Sequence, residues 1–174
     1  TNDTALKLIK KNITNPTLIT TEKQTNGRGR VGKKWISKTG NLFISLFFKF
    51  DQKKINFKQF SVLNALLIKK IISKIISKKI YIKWPNDLLF DQQKICGILQ
   101  EVIRYDNIDY LVVGIGLNTN IDPQNKSFKS TSLKNILNKK INNRKILKKI
   151  IIEYENFLEK KNKLSFLELK RKYK

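Results

Sequence analysis

With 174 residues, 40% of them hydrophobic, the chain is long enough for one domain with its own core and too short for two full cores. One cysteine and no histidine exclude an internal disulfide, a zinc site and a histidine-based triad; no run reaches the ~18 apolar residues of a membrane span and no signal peptide opens the chain, so a cytoplasmic protein without a membrane partner is expected. The formal charge of +24 invites a nucleic-acid partner, but it comes with abundant Ile and Asn, and Lys, Ile and Asn share AT-rich codons, so compositional drift explains it without a specific DNA target.

Residues 4 to 11 read as a short helix with Leu6 and Ile9 inward, and after Pro16 a strand is expected over Thr17–Thr21, followed by a Gly/Arg-rich loop. Residues 42 to 50, dense in Phe, Leu and Ile and too short for a long helix, predict a buried strand. The period then changes: Phe60, Leu63, Leu67, Ile71 and Ile75, flanked by Ile68, Ile72 and Ile76, form a helical stripe backed by lysines. Strand candidates follow at residues 80 to 84, 94 to 105 and 110 to 115, with Asp91-Gln92-Gln93 and Asp106-Asn107 at the turns, which predicts an antiparallel meander. Helical spacing returns from Ile146 through Ile150, Tyr154 and Phe157 to Leu158, and again near Phe166 and Leu169. The expected fold is α+β: one mixed or mostly antiparallel sheet flanked by helices, with no repeat or linker.

Four short segments carry the chemistry. Gly27-Arg28-Gly29-Arg30-Val31-Gly32-Lys33-Lys34-Trp35 contains G-x-G-x-x-G and nearly spells a P-loop, yet it leads into a Phe-rich strand rather than a helix, and Lys34 replaces the magnesium-binding Ser/Thr, so both nucleotide-fold readings fail. What remains is a glycine loop with two guanidinium forks suited to carboxylate or phosphate oxygens; it serves either a ligand or only a solvated turn. In Lys83-Trp84-Pro85-Asn86-Asp87 a strand stops at proline, leaving Asn86 to hold a ligand or a magnesium-bound water and Asp87 to cap a turn. Lys94 opens Lys94-Ile95-Cys96-Gly97-Ile98-Leu99, where Gly97 permits close approach and Cys96 suits core packing. Gly114-Ile115-Gly116-Leu117-Asn118-Thr119-Asn120 ends an apolar strand with small residues and amides, which fits a tight turn or a ligand contact.

Taken in this order, GRGRVGKKW, KWPND, KICGIL and GIGLNTN resemble the catalytic domain of bacterial biotin protein ligases over nearly the whole chain. The resemblance implies a class II synthetase-like fold with biotin enclosed beneath the arginine loop. It implies that Arg28, Gly29 and Arg30 contact biotin or its adenylate and that Gln24 is similar to a biotin-contacting glutamine. Thr1 and Asn2 fall in a segment that contacts the biotin ring, where the family's preceding serine is not in this chain. The resemblance further implies that Trp35 and Gly97 belong to the pocket wall, that Lys94 is similar to the catalytic, biotin-contacting lysine with Arg30 assisting, and that Asn86 and Asn118 are similar to positions near ATP and its Mg²⁺.

The implied reaction joins the biotin carboxylate to the α-phosphorus of Mg-ATP, releasing pyrophosphate, and then transfers biotin from biotinyl-5′-adenylate to a lysine of the biotin carboxyl carrier protein of acetyl-CoA carboxylase. No protein-only metal site is expected. The whole of residues 1–174 reads as this catalytic domain, without the helix-turn-helix or the small β-rich domain found in some members, and the lack of methionine predicts a segment of a longer chain. Two alternatives compete: a lipoate or octanoyl ligase-like acyl transfer, whose glycine signature carries a histidine this chain lacks, and a basic nucleic-acid-binding module, for which no recognition helix or aromatic platform is evident.

Overall fold

The computed structural model describes residues 1–124, 128–161 and 163–174. Helix α1 (Asn2–Lys10) and strand β1 (Thr17–Thr21) precede β2 (Leu42–Lys49), and the 20-residue helix α2 (Phe57–Ile76) leads to β3 (Tyr81–Lys83), β4 (Asp87–Phe90), β5 (Gln93–Tyr105) and β6 (Ile108–Leu117). Helices α3 (Leu133–Leu137), α4 (Asn143–Lys161) and α5 (Phe166–Tyr173) follow. The strands form one six-stranded sheet in the order β1-β2-β6-β5-β4-β3, with every pair of neighbours antiparallel. The sole parallel pairing among the described residues is an isolated bridge between Lys94 and Ser130. The expected α+β architecture is therefore present, with a sheet more uniformly antiparallel than the mixed alternative.

Local chemistry explains most boundaries. Asn56 and Gln59 close a reciprocal capping box at the start of α2, and Ser165 and Glu168 close another at α5. Asp91-Gln92 and Asp106-Asn107 both take positive φ, as two-residue hairpins require, and so fix the β4–β5 and β5–β6 registers.

The sheet has two unlike faces. Alternate residues of β2 and β6, such as Ile44, Leu46, Val113 and Ile115, pack with Leu63, Leu67 and Ile71 of α2 and with Tyr154 and Phe157 of α4 in the main core. A smaller cluster of Ala5, Ile9, Phe47, Tyr110 and Val112 seats α1 on the opposite face. Among the described residues no helix is long and apolar enough to cross a membrane.

Two expectations are corrected, and one helix lies outside them. The first helix starts at Asn2, earlier than residue 4, and turns Ala5 and Ile9 inward while Leu6 is only half-buried. Asp87 does not cap a turn after proline: it opens β4 and pairs with Lys83. The short α3, capped by Ser132, gave no periodic signal because five residues span little more than one turn.

Candidate active site

The spacing of two in Gly114-Ile115-Gly116 puts both glycines on the α1 side of the sheet, and Gly97 of β5 stands opposite Gly116 in register. The indole of Trp35 lies flat in the trough this leaves: a Cβ on Gly97 would stand 2.6 Å from Trp35 Cζ3, and one on Gly116 2.6 Å from Trp35 Cζ2. Asn2 occupies the place beside Gly114, where a Cβ would meet its Oδ1 at 2.7 Å. These glycines are required by close approach of other side chains rather than by backbone torsion.

Around them lies a cavity of about 960 Å³. Its floor, formed by Thr1, Asn2 and Gln24, is held by a chain of hydrogen bonds that runs on to Ser37, Ser45 and Glu101 outside the lining. Ser37 Oγ donates to Gln24 Oε1 at 2.8 Å, and Gln24 Nε2 donates to Thr1 Oγ1 at 3.0 Å. Thr1 Oγ1 lies 2.6 Å from Ser45 Oγ, which also meets Asn2 Oδ1, and Asn2 Nδ2 donates to Glu101 Oε2. The floor thus offers donors and acceptors side by side, held by the buried Ser45.

Lys94 supplies the charge. Its side chain is 15% exposed, with Nζ 2.7 Å from Asp87 Oδ1 and 5.1 Å from the ring centres of both Trp35 and Phe128. The Lys94 backbone is fixed as well: its N–H donates to Lys129 O at 2.9 Å, and its carbonyl accepts from Thr131 N at 3.0 Å. Behind Lys94, Cys96 is fully buried, and burial pushes its thiol up, so it stays a neutral core group.

The arginine loop folds as a small hairpin over the cavity. Arg28 bridges to Lys34, Gly29 N donates to Lys33 O at 2.6 Å, and Trp35 N donates to Gly27 O at 2.9 Å. Val31 and Gly32 turn the chain at φ 52° and 69°. Arg28 Nη1 is 2.6 Å from Asp3 Oδ1 and Nη2 is 3.6 Å from Glu101 Oε1, whereas among the described residues no ion pair involves the exposed Arg30.

The structure therefore gathers Thr1, Asn2, Gln24, Arg28, Gly29, Arg30, Trp35, Asn86, Lys94 and Gly97 around one cavity. Asn118 stands apart: it is buried, outside the cavity lining, with Nδ2 donating to Thr131 O at 3.1 Å and to Lys94 O at 3.4 Å. Asn86 lines the cavity while its Nδ2 holds Ile98 O at 2.9 Å. Asp3, Asp87 and Phe128 line the cavity as well, and Ser45 and Glu101 brace Thr1 and Asn2 from outside the lining, none of them expected there. Only Asp87 carried a signal, its place seven residues before a strand-opening lysine.

The profile of the biotin/lipoate A/B protein ligase family matches residues 1–118. The bifunctional ligase/repressor BirA of Bacillus subtilis is 32% identical over 161 residues, 89% of this chain and 50% of that protein. A biotin–acetyl-CoA-carboxylase ligase of Paracoccus denitrificans is 31% identical over 121 residues, 68% of this chain and 50% of that one. The chain spans about half the length of these curated relatives. Among solved structures, a biotin protein ligase from Aquifex aeolicus in complex with biotin and ATP superposes with a TM-score of 0.81 at 31% identity, covering 97% of this chain and 71% of that one. With the matched profile reaching from Thr1 to Asn118, through the first three motifs and into the fourth, the chain belongs to the biotin/lipoate A/B protein ligase family.

Proposed function

We propose that this chain activates biotin with ATP, forming biotinyl-5′-adenylate and pyrophosphate, and passes the biotinyl group to a lysine of the biotin carboxyl carrier protein of acetyl-CoA carboxylase, in the cytoplasm. The observation that carries the reading is one cavity in which a donor–acceptor floor, an indole wall and the Lys94 ammonium meet. The likeness to the Aquifex aeolicus ligase, solved with biotin and ATP, supports the same substrates.

In this reading the hydroxyl and amides of Thr1, Asn2 and Gln24, braced from behind by Ser45, hold the polar ring of biotin, and Trp35 covers its apolar body. Lys94 and Arg30 gather the carboxylate and the α-phosphate, and their charges offset the negative charge that builds as the carboxylate oxygen bonds to phosphorus and pyrophosphate leaves. Asn86 lines the phosphate end. Asn118 acts there through Lys94, whose carbonyl it holds. Among the described residues no group of three acidic, cysteine or histidine side chains could form a metal cage, and Asp87 is already paired with Lys94. This donor set suits Mg²⁺ that arrives on the nucleotide with its waters, where it shares the phosphate charge.

Calorimetric titration with biotin tests the reading, with lipoate and duplex DNA as competitors. One saturable biotin site that neither competitor displaces is expected. Displacement by lipoate would move the chain to the other acyl cofactor of its family, and displacement by DNA would favour a basic binding module.

A further inference from the structure

The chain has only 13 acidic residues against 37 Lys and Arg, yet two of its carboxylates, Asp3 of α1 and Glu101 of β5, converge on the single guanidinium of Arg28. The hairpin needs such an anchor. It carries Arg28, Arg30, Lys33 and Lys34 within seven residues, stands over a hollow of about 480 Å³ bordered by Leu99 and Glu101, and turns through Val31, a β-branched residue at positive φ. Self-repulsion and a strained turn both favour opening. Glu101 opposes it from the floor, because its other oxygen accepts from Asn2 Nδ2.

We propose that Arg28 is a positioning residue that ties the hairpin to Asp3 and Glu101, which leaves the ligand's anionic group to Arg30, the contact already part of the proposed function. Naming that group as the biotin carboxylate rests on the proposed function. The anchoring does not. A planar fork can address both carboxylates at once, which a lysine ammonium at the same place would do poorly.

Two measurements test the division. In the ligand-free protein, exchange of the Gly29 and Trp35 amides reports the hairpin, since their acceptors, Lys33 O and Gly27 O, lie across it. Arg28→Ala is expected to speed this exchange about fivefold, as for a half-exposed ion pair. Asp3→Asn with Glu101→Gln should do the same, the three together no more, Arg28→Lys should fall between, and Arg30→Ala, which relieves repulsion and removes no anchor, should not speed exchange.

The second measurement compares the affinity of biotin with that of biotinol, its alcohol analogue. Arg30→Ala should erase most of the preference for the carboxylate, while Arg28→Ala should weaken both ligands by the same factor. Loss of carboxylate preference in Arg28→Ala, or additive effects of Arg28 and the acidic pair on exchange, would overturn the proposal. Failure of biotin to bind at all would refute the functional reading and leave the exchange cycle to decide the anchor.

Discussion

Lys94 lies across the sheet with its Cε 3.4 Å from where a Cβ on Gly97 would stand, and its ammonium rests among Asp87, Trp35 and Phe128. Lys94→Ala removes the charge proposed to offset the reacting phosphate and leaves Asp87, only 22% exposed, without its cation. The expected result is a loss of about a hundredfold or more in pyrophosphate release with a stability cost of about 1–2 kcal/mol. A folded variant that releases pyrophosphate at the wild-type rate would remove Lys94 from the mechanism. Behind it, burial pushes up both the Cys96 thiol and the Tyr154 phenol, whose ordinary values are 9.0 and 10.0. Their folded values are raised, so the stabilisation is fully present below the unfolded value and is lost as the unfolded chain ionises first at higher pH. The urea midpoint should fall between about pH 8.5 and 10, at up to about 1.4 kcal/mol per pH unit above the thiol value, and Cys96→Ala should flatten that decline. An equal slope in both proteins would contradict the burial argument. At this scale the sequence shows which residues carry charge and which are small. It does not show that Asp3 and Glu101, 98 positions apart, meet at Arg28, because only the folded sheet brings them together.

Strands β5 and β6 turn two separate glycine motifs into one surface. Gly97 sits in KICGIL and Gly116 in GIGLN, and their pairing across the ladder is what admits the Trp35 indole. Gly116→Ala inserts a methyl group where the ring now lies, so Trp35 must lift from the sheet. Biotin affinity should fall by about tenfold or more while stability changes by about 1 kcal/mol, read by titration and by the shift in indole fluorescence. Unchanged affinity would show that the trough does not shape the ligand site. The elements themselves are largely legible: β1, α2, β5, β6 and α4 follow from period, and the turns at Asp91-Gln92 and Asp106-Asn107 from residue type, although Gln93, expected in the first turn, opens β5. β4 and α3 were not, since four and five residues carry too few repeats of any period, and proline at 85 masked the strand that starts just beyond it.

The whole molecule places the cavity proposed to take anionic ligands on a body of charge +24, with Arg30, Lys33, Lys34, Lys83 and Lys129 among the residues that line it. Whatever the origin of the excess, a field of this sign attracts a polyanion such as ATP. The association rate for ATP should fall about tenfold between ionic strengths of about 0.02 and 0.5 M, with dissociation changing less. A salt-independent association rate would mean that the charge has no part in capture. The most direct test of the central claim is mass-spectrometric detection of biotinyl-5′-adenylate after incubation with biotin, ATP and Mg²⁺. The account predicts that the adenylate forms with biotin, not with lipoate, and disappears in Lys94→Ala; a folded chain that binds biotin and ATP yet makes no adenylate, or that adenylates lipoate in preference, would contradict it.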